Sequence, residues 1–215
     1  MDVETRHKLW DAWGMCPRHA AAWLTAEAAF RHGRLHGPAI LYAELAATGL
    51  SALAPTGRFA GARARRALRP KAGCLVCESG FGPGSDGFVP GNRLQIGRDA
   101  SSLARHLRAT EPVWRGDVCG RCDGSRRSAR CRPHLLEDLA RDPLLALSPH
   151  RERLARLAVR LGRYERSFRW DDRGRETVED RAALVSAVGW CGGWSALLAI
   201  IGGADNASVM HLPFT

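Results

Sequence analysis

Residues Cys119–Leu139 read CGRCDGSRRSARCRPHLLEDL. Cys119, Cys122, Cys131 and His134 follow one another as C-x2-C-x8-C-x2-H, with Arg126, Arg127 and Arg130 inside the loop between them. Soft donors this dense point to a metal. A two-residue gap lets both donors of a pair reach one tetrahedral ion at about 2.0–2.3 Å. Two further pairs repeat the pattern. Cys16-Pro-Arg-His19 resembles Cys131-Arg-Pro-His134, and each opens an Ala- or Leu-rich segment with a proline just inside it. Cys74-Leu-Val-Cys77 repeats the spacing of Cys119 and Cys122. Eight donors in four pairs complete two four-ligand sites with nothing left over. The related Cys-x-x-His pairs suggest a diverged internal repeat, with halves at about 1–72 and 73–145.

The surroundings favour ligands over disulfides. The N-terminus MDVETRHKLWDAW carries acids and a histidine instead of the apolar core of a secretory signal. The longest apolar run, WSALLAII (Trp194–Ile201), is far shorter than the roughly 20 residues of a membrane span. A cytoplasmic protein is expected, and in a reducing compartment cysteines serve as metal ligands or thiols. Of seven cysteines, Cys191 in GWCGGW has no two-residue-gap partner and reads as a small buried residue or free thiol.

The pattern between the motifs is helical. Residues 3–13, the segment after Cys16, and GPAILYAELAATGL up to Gly49 read as helices. RFAGARARRALRPK (58–71) is a basic helix or linker. Residues 73–97, rich in Gly and Pro, read as a loop with room for one short strand or hairpin. A short helix follows at 99–110, capped by Asp99 or Ser101, and another begins at Cys131. Ser148 caps the clearest helix, with Leu154, Leu157, Leu161, Tyr164 and Phe168 on one face. Thr177-x-x-Asp180 reads as the capping box of a last helix. With no strands alternating with these helices, the expected fold is all-α. It is one helical domain over 1–202 stapled by two zinc-knuckle-like sites, with C-terminal helices over 148–202 and a loose tail at 203–215.

Three ligand pairings satisfy the count. In the local one, Cys119/Cys122 joins Cys131/His134, and Cys16/His19 joins Cys74/Cys77. In the crossed one, Cys74/Cys77 joins Cys131/His134, and Cys16/His19 joins Cys119/Cys122. The third puts Cys74, Cys77, Cys119 and Cys122 on one ion. Loop closure does not choose, because closing a 53-residue gap instead of an 8-residue one costs only about 1.7 kcal/mol, against ~10–16 kcal/mol apparent for a structural zinc site.

GMCPRHAAAWL, GPAILYAEL, CLVCE, CRPHLLEDL and YERSFRWDDRGRETVEDRAALVSAV resemble, over about residues 14–190, an uncharacterised bacterial family of helical proteins. That family carries paired Cys-x-x-Cys and Cys-x-x-His motifs and has no known activity. The resemblance implies metal binding and helices but no reaction. The family's first Cys-x-x-Cys is missing ahead of Cys16, and Cys119/Cys122 stands beside the second Cys-x-x-His instead. If Cys119/Cys122 replaces the missing pair in space, the crossed pairing follows.

Three thiolates and one imidazole per site suit Zn2+, two per chain, with an iron–sulfur cluster as the alternative. Four protein ligands leave no open coordination position, which favours a structural role. The formal net charge is +10, and all but Lys8 and Lys71 of the 32 cationic residues are arginine. That ratio reflects a GC-rich genome, but the net charge favours polyanions. Arg63, Arg65, Arg66, Arg126, Arg127 and Arg130 are the candidate nucleic-acid contacts, with the outer face of 151–166; solvated surface arginine is the plain alternative.

The remaining motifs are weak. His32 and His36 are separated by a helix-breaking glycine. Gly80-x-Gly82-x-Gly84 lacks strand–turn–helix context. Asp171, Asp172, Glu176, Glu179 and Asp180 read as turn and helix-start acids, and the seven tryptophans as core, with Trp190 and Trp194 placed to line a pocket. Two functions fit. One is a zinc-binding regulatory or binding module that contacts nucleic acid or a partner protein through its arginine faces. The other is a metal- or iron–sulfur-dependent enzyme or accessory protein with a pocket near the metal sites and the C-terminal helices. No membrane association is expected, and no catalytic residue or oligomeric state is assigned.

Overall fold

The computed structural model describes residues 2–30, 35–82 and 99–204, and among them there are helices and no strands. The helices are α1 (Val3–Asp11), α2 (Pro17–Ala29), α3 (His36–Ala52), α4 (Ala60–Leu68), α5 (Ser101–Trp114), α6 (Arg132–Arg141), α7 (Ser148–Arg166), α8 (Val178–Gly192) and α9 (Ser195–Ala204). The strand or hairpin expected within 73–97 does not occur in residues 73–82. The rest of that segment, Gly84 and His32 lie outside the described residues, as does the tail beyond Ala204.

Helix α8 is the centre of the fold. Every residue from Ala182 to Cys191 is buried, and α2, α3, α5, α6 and α7 all pack on it. Its sequence AALVSAVGWC is small and apolar on all sides, the signature of a fully enclosed helix. Thr177 Oγ1 accepts from the Asp180 amide and Asp180 Oδ2 from the Thr177 amide, the reciprocal cap expected from the sequence. Helix α7 packs its leucine stripe between α3 and α8. Gly49 permits this approach, since a Cβ there would stand 2.6 Å from Trp190 and 2.7 Å from Leu154.

Several local expectations shift. Ser148 is not the cap of α7. Leu147 precedes the helix, and Ser148 and Pro149 occupy its first turn. Helix α5 runs past 110 and through Pro112 to Trp114. Proline normally ends a helix because its missing N–H and its ring disturb the preceding turn. Here Trp114 is fully buried, donates its indole N–H to the Leu107 carbonyl (2.9 Å) and stacks on Trp194 (5.6 Å between centroids). That burial outweighs the lost backbone bond. Helix α1 ends two residues before Trp13, which takes a left-handed φ of 59°. A bulky residue there is strained, and packing against Trp190 (5.9 Å) holds it. Not all tryptophans are core: Trp10 is partly exposed and Trp170 is 85% exposed.

Candidate metal centres

Two Cys/His groups form, and both are local. Cys16, His19, Cys74 and Cys77 make one site, and Cys119, Cys122, Cys131 and His134 the other; within each, all ligand atoms lie within 4.8 Å of one another. Neither the crossed pairing implied by the family resemblance nor the all-cysteine pairing occurs. The reason lies in the helices. Cys131 and His134 sit on the first turn of α6, and the loop 119–131 folds directly back on that turn. The Gly120 amide donates to the Ala129 carbonyl (3.1 Å), and a Cβ on Gly120 would stand 2.3 Å from the Arg127 carbonyl oxygen. The first site instead spans the proposed repeat boundary at residue 72. It is closed by Lys71 and Ala72, whose amides donate to the Asp11 carbonyl (2.8 and 3.3 Å) and bring the chain beside α1.

The two sites share one construction. Cys16 and Cys131 are the N-cap residues of α2 and α6, with extended backbone (ψ 160° and 163°), and their histidines fall on the first helical turn. The other two cysteines come from a tight turn: the Cys122 amide bonds the Cys119 carbonyl (2.9 Å), and the Glu78 amide the Cys74 carbonyl (3.0 Å). In the first site His19 Nδ1 lies 3.3 Å from Cys16 Sγ and 3.4 Å from both Cys74 and Cys77, while Cys16 and Cys77 sulfurs are 3.9 Å apart. In the second, His134 Nδ1 lies 3.2 Å from Cys119 and Cys131 and 3.4 Å from Cys122, with the Cys122 and Cys131 sulfurs 3.8 Å apart. A tetrahedral zinc with ordinary bond lengths sets S···S edges of about 3.8 Å and S···N edges of about 3.5 Å. The donor sets therefore fit one tetrahedral ion each.

Electrostatics agree. In each site one thiol is held below its ordinary range. Burial pushes Cys74 up, but the amides of Cys16, Cys77 and Val76 outweigh it and hold it below the ordinary thiol range. Burial likewise opposes, and the amides of Cys131, Cys122 and Arg121 overcome it, at Cys119. Burial and the neighbouring sulfurs push Cys77 up to about 12 and raise Cys131 further. Burial, reinforced by Arg18 and Arg121 respectively, holds His19 and His134 below the ordinary imidazole range. Metal binding must displace thiol protons, so the ligand pKa values fall on binding. The stabilisation by metal is present above the free-thiol range and is lost as pH falls. Metal affinity measured by chelator competition is expected to weaken steadily from about pH 8 to about pH 6, and elemental analysis at pH 8 to give two ions per chain.

Compared with protein-family models, with curated proteins and with solved structures, the chain matches none.

The other sequence candidates divide clearly. Cys191 is buried, outside both sites, and burial pushes its thiol up to about 12. His36 stacks on Phe168 (4.6 Å). Asp180 caps α8, and Asp172 pairs with Arg175 (3.5 Å); none of the residues 171–180 joins a metal group. Trp194 is sealed in the core, while Trp190 edges a slot with Asp117, Arg130, His150, Arg153 and Ser186 whose cavity of about 10 Å³ holds no more than a water. Of the candidate polyanion contacts, Arg130 and Arg127 are committed internally: Arg130 Nε donates to Asp138 (2.7 Å), and Arg127 donates to the Arg115 carbonyl and pairs with Asp123 (3.7 Å). They pin the loop to its surroundings. Arg126 remains free among the described residues.

Sequence reasoning passed over Arg132, inside the second Cys-x-x-His. Its side chain is buried, donating from Nε to the Cys191 carbonyl (2.9 Å) and from Nη1 to the Leu68 carbonyl (3.0 Å), with its guanidinium 5.3 Å from the Trp13 ring. Those carbonyls end α8 and α4, where the helix dipoles favour a cation. Nothing in the sequence marks one arginine among thirty for burial.

Proposed function

We propose that the chain is a zinc-stapled helical module that binds nucleic acid through the basic face of α4. The resemblance to the bacterial family with paired cysteine motifs agrees with the stapling but carries no activity. Two observations support zinc over an iron–sulfur cluster: each site supplies three sulfurs and one nitrogen, and their mutual distances suit a single ion rather than a cluster of several irons. Four protein ligands complete the coordination, which supports a structural role.

The observation that carries the binding reading is on α4. Gly61, Ala64 and Leu68 are buried, while Arg63 and Arg66 occupy the opposite, exposed face with Arg65 at its edge and Arg58 and Arg69 at its ends. Among the described residues the side chains of Arg63, Arg65, Arg66 and Arg69 make no ion pair or hydrogen bond. Several other arginines are neutralised, Arg6 by Glu44, Arg121 by Glu137 and Asp138, Arg130 by Asp138 and Arg169 by Glu165. Arg126, Arg156, Arg163 and Arg166 are also unpaired among the described residues, but α4 differs from α7 in carrying no carboxylate of its own. An uncompensated row of cations on one helix face is an electrostatic footprint for phosphate. The test is binding of a fluorescent 20-base-pair DNA duplex as a function of salt. Four phosphate contacts give a log–log salt slope of about −3.6. Replacing Arg63, Arg65, Arg66 and Arg69 together by Gln is expected to remove most of that slope and at least about tenfold in affinity at ~50 mM salt. Absence of duplex binding by the metal-loaded wild type at that salt refutes the reading.

A further inference from the structure

We infer that metal occupancy controls the nucleic-acid face, because both metal sites grip the end of α4; this rests on the binding reading above. Helix α4 has nine residues. Isolated helices shorter than about 12–15 residues are marginal in water. Like charges three and four apart, as in Arg63/Arg66 and Arg65/Arg69, destabilise it further. Its order therefore depends on what it is docked against.

At the C-terminal end both anchors lead to metal ligands. Arg132, between Cys131 and His134, holds the Leu68 carbonyl (3.0 Å) and ties it to the end of α8 at the Cys191 carbonyl (2.9 Å). Just after Arg69, the chain is fastened to α1 by the Lys71 and Ala72 amides and by Lys71 Nζ on Asp11 (3.1 Å), and then enters the first site at Cys74. The end of α8 closes the circuit. The Trp194 amide faces Cys122 Sγ, and Gly192 lies against the Met15 carbonyl beside Cys16, where a Cβ would stand 3.2 Å away. At its other end α4 rests on a purely steric contact: Gly61 lies so close to the Pro143 carbonyl oxygen that a Cβ there would stand 2.1 Å from it.

With both ions bound, α4 is presented as a fixed row of arginines, and less conformational entropy is lost when phosphate binds. Without them the ligand turns lose their constraint, Arg132 loses its fixed position, and the helix frays. Arg132 is thus a positioning residue for a surface it does not join.

The same 20-base-pair duplex at ~50 mM salt tests this with metal content measured in parallel. Chelated wild type is expected to bind at least tenfold more weakly than the metal-loaded protein and to recover on adding zinc. Arg132→Gln is expected to keep both ions and lose a similar factor, with Arg132→Lys intermediate because one ammonium must serve two carbonyls. Should Arg132→Gln also empty a site, Gly61→Ala, which lifts α4 at the end remote from the ligands, must weaken binding with both ions present. Equal binding by chelated and loaded wild type overturns the inference, as does unchanged affinity in a fully loaded Arg132→Gln or Gly61→Ala. Failure of the loaded wild type to bind any duplex refutes the binding reading itself and is seen before any variant is made.

Discussion

Cys131→Ala is expected to bind one metal ion per chain instead of two and to melt about 6–12 °C lower, a loss of at least ~3 kcal/mol. Cys131 is at once a ligand, the N-cap of α6 and the neighbour of Arg132. The loop from Asp123 to Ser128 is exposed throughout and buries no apolar side chain. Its order rests on the ligands at its ends and on a few polar contacts, among them Arg130 with Asp138. An unfolded chain offers no preformed site, so the binding energy of the ion is folding energy for this stretch. Amide hydrogen exchange should accelerate across 119–131 in the variant. His134→Ala should weaken the same ion, with a smaller drop in stability, because a water can take the vacated position on an ion still held by three sulfurs. Cys191→Ala should keep both ions, since its sulfur lies outside both groups. Full metal content in Cys131→Ala, or an ion lost in Cys191→Ala, would sink the assignment.

Gly189→Ala is the second large effect, and it lies outside the metal chemistry. A Cβ at 189 would stand 2.4–2.7 Å from three atoms of the Trp194 ring. The indole has little room to retreat, because it is stacked on Trp114 and both rings are almost wholly buried. Overpacking a rigid contact costs about 1–3 kcal/mol, and the upper end is expected here because neither partner is a flexible side-chain tip. The better helix propensity of alanine returns at most ~1 kcal/mol. Since the Trp194 amide faces Cys122, displacement of Trp194 should also weaken the second ion. Chemical denaturation and chelator competition on the same variant measure the two consequences. Unchanged stability together with unchanged metal affinity would show that α8 and α9 separate without cost.

Much of this protein is determined by its sequence alone. The eight candidate ligands were legible because tetrahedral coordination imposes a spacing on the chain itself: two donors three residues apart can reach one ion whatever the rest of the fold does. The helices were legible for the same local reason. Thr177 and Asp180 cap α8, and Leu154, Leu157, Leu161 and Tyr164 share a face of α7, through contacts within one or two turns. Which pairs share an ion was decided by tertiary structure, because loop closure distinguishes the alternatives by little; the return of 119–131 onto α6 and the fastening of Lys71 to Asp11 settled it. The same holds for the arginines. Composition supplied thirty of them and no means of sorting them. Only the three-dimensional placement of carboxylates shows that Arg130 is spent on Asp138, across the start of α6, while Arg63 and Arg66 face solvent unpaired. Arg132 is the extreme case. It lies between two ligands in the stretch that reveals the metal site, yet its burial depends on Leu68 and Cys191, whose carbonyls become partners only when two helices end at the same point.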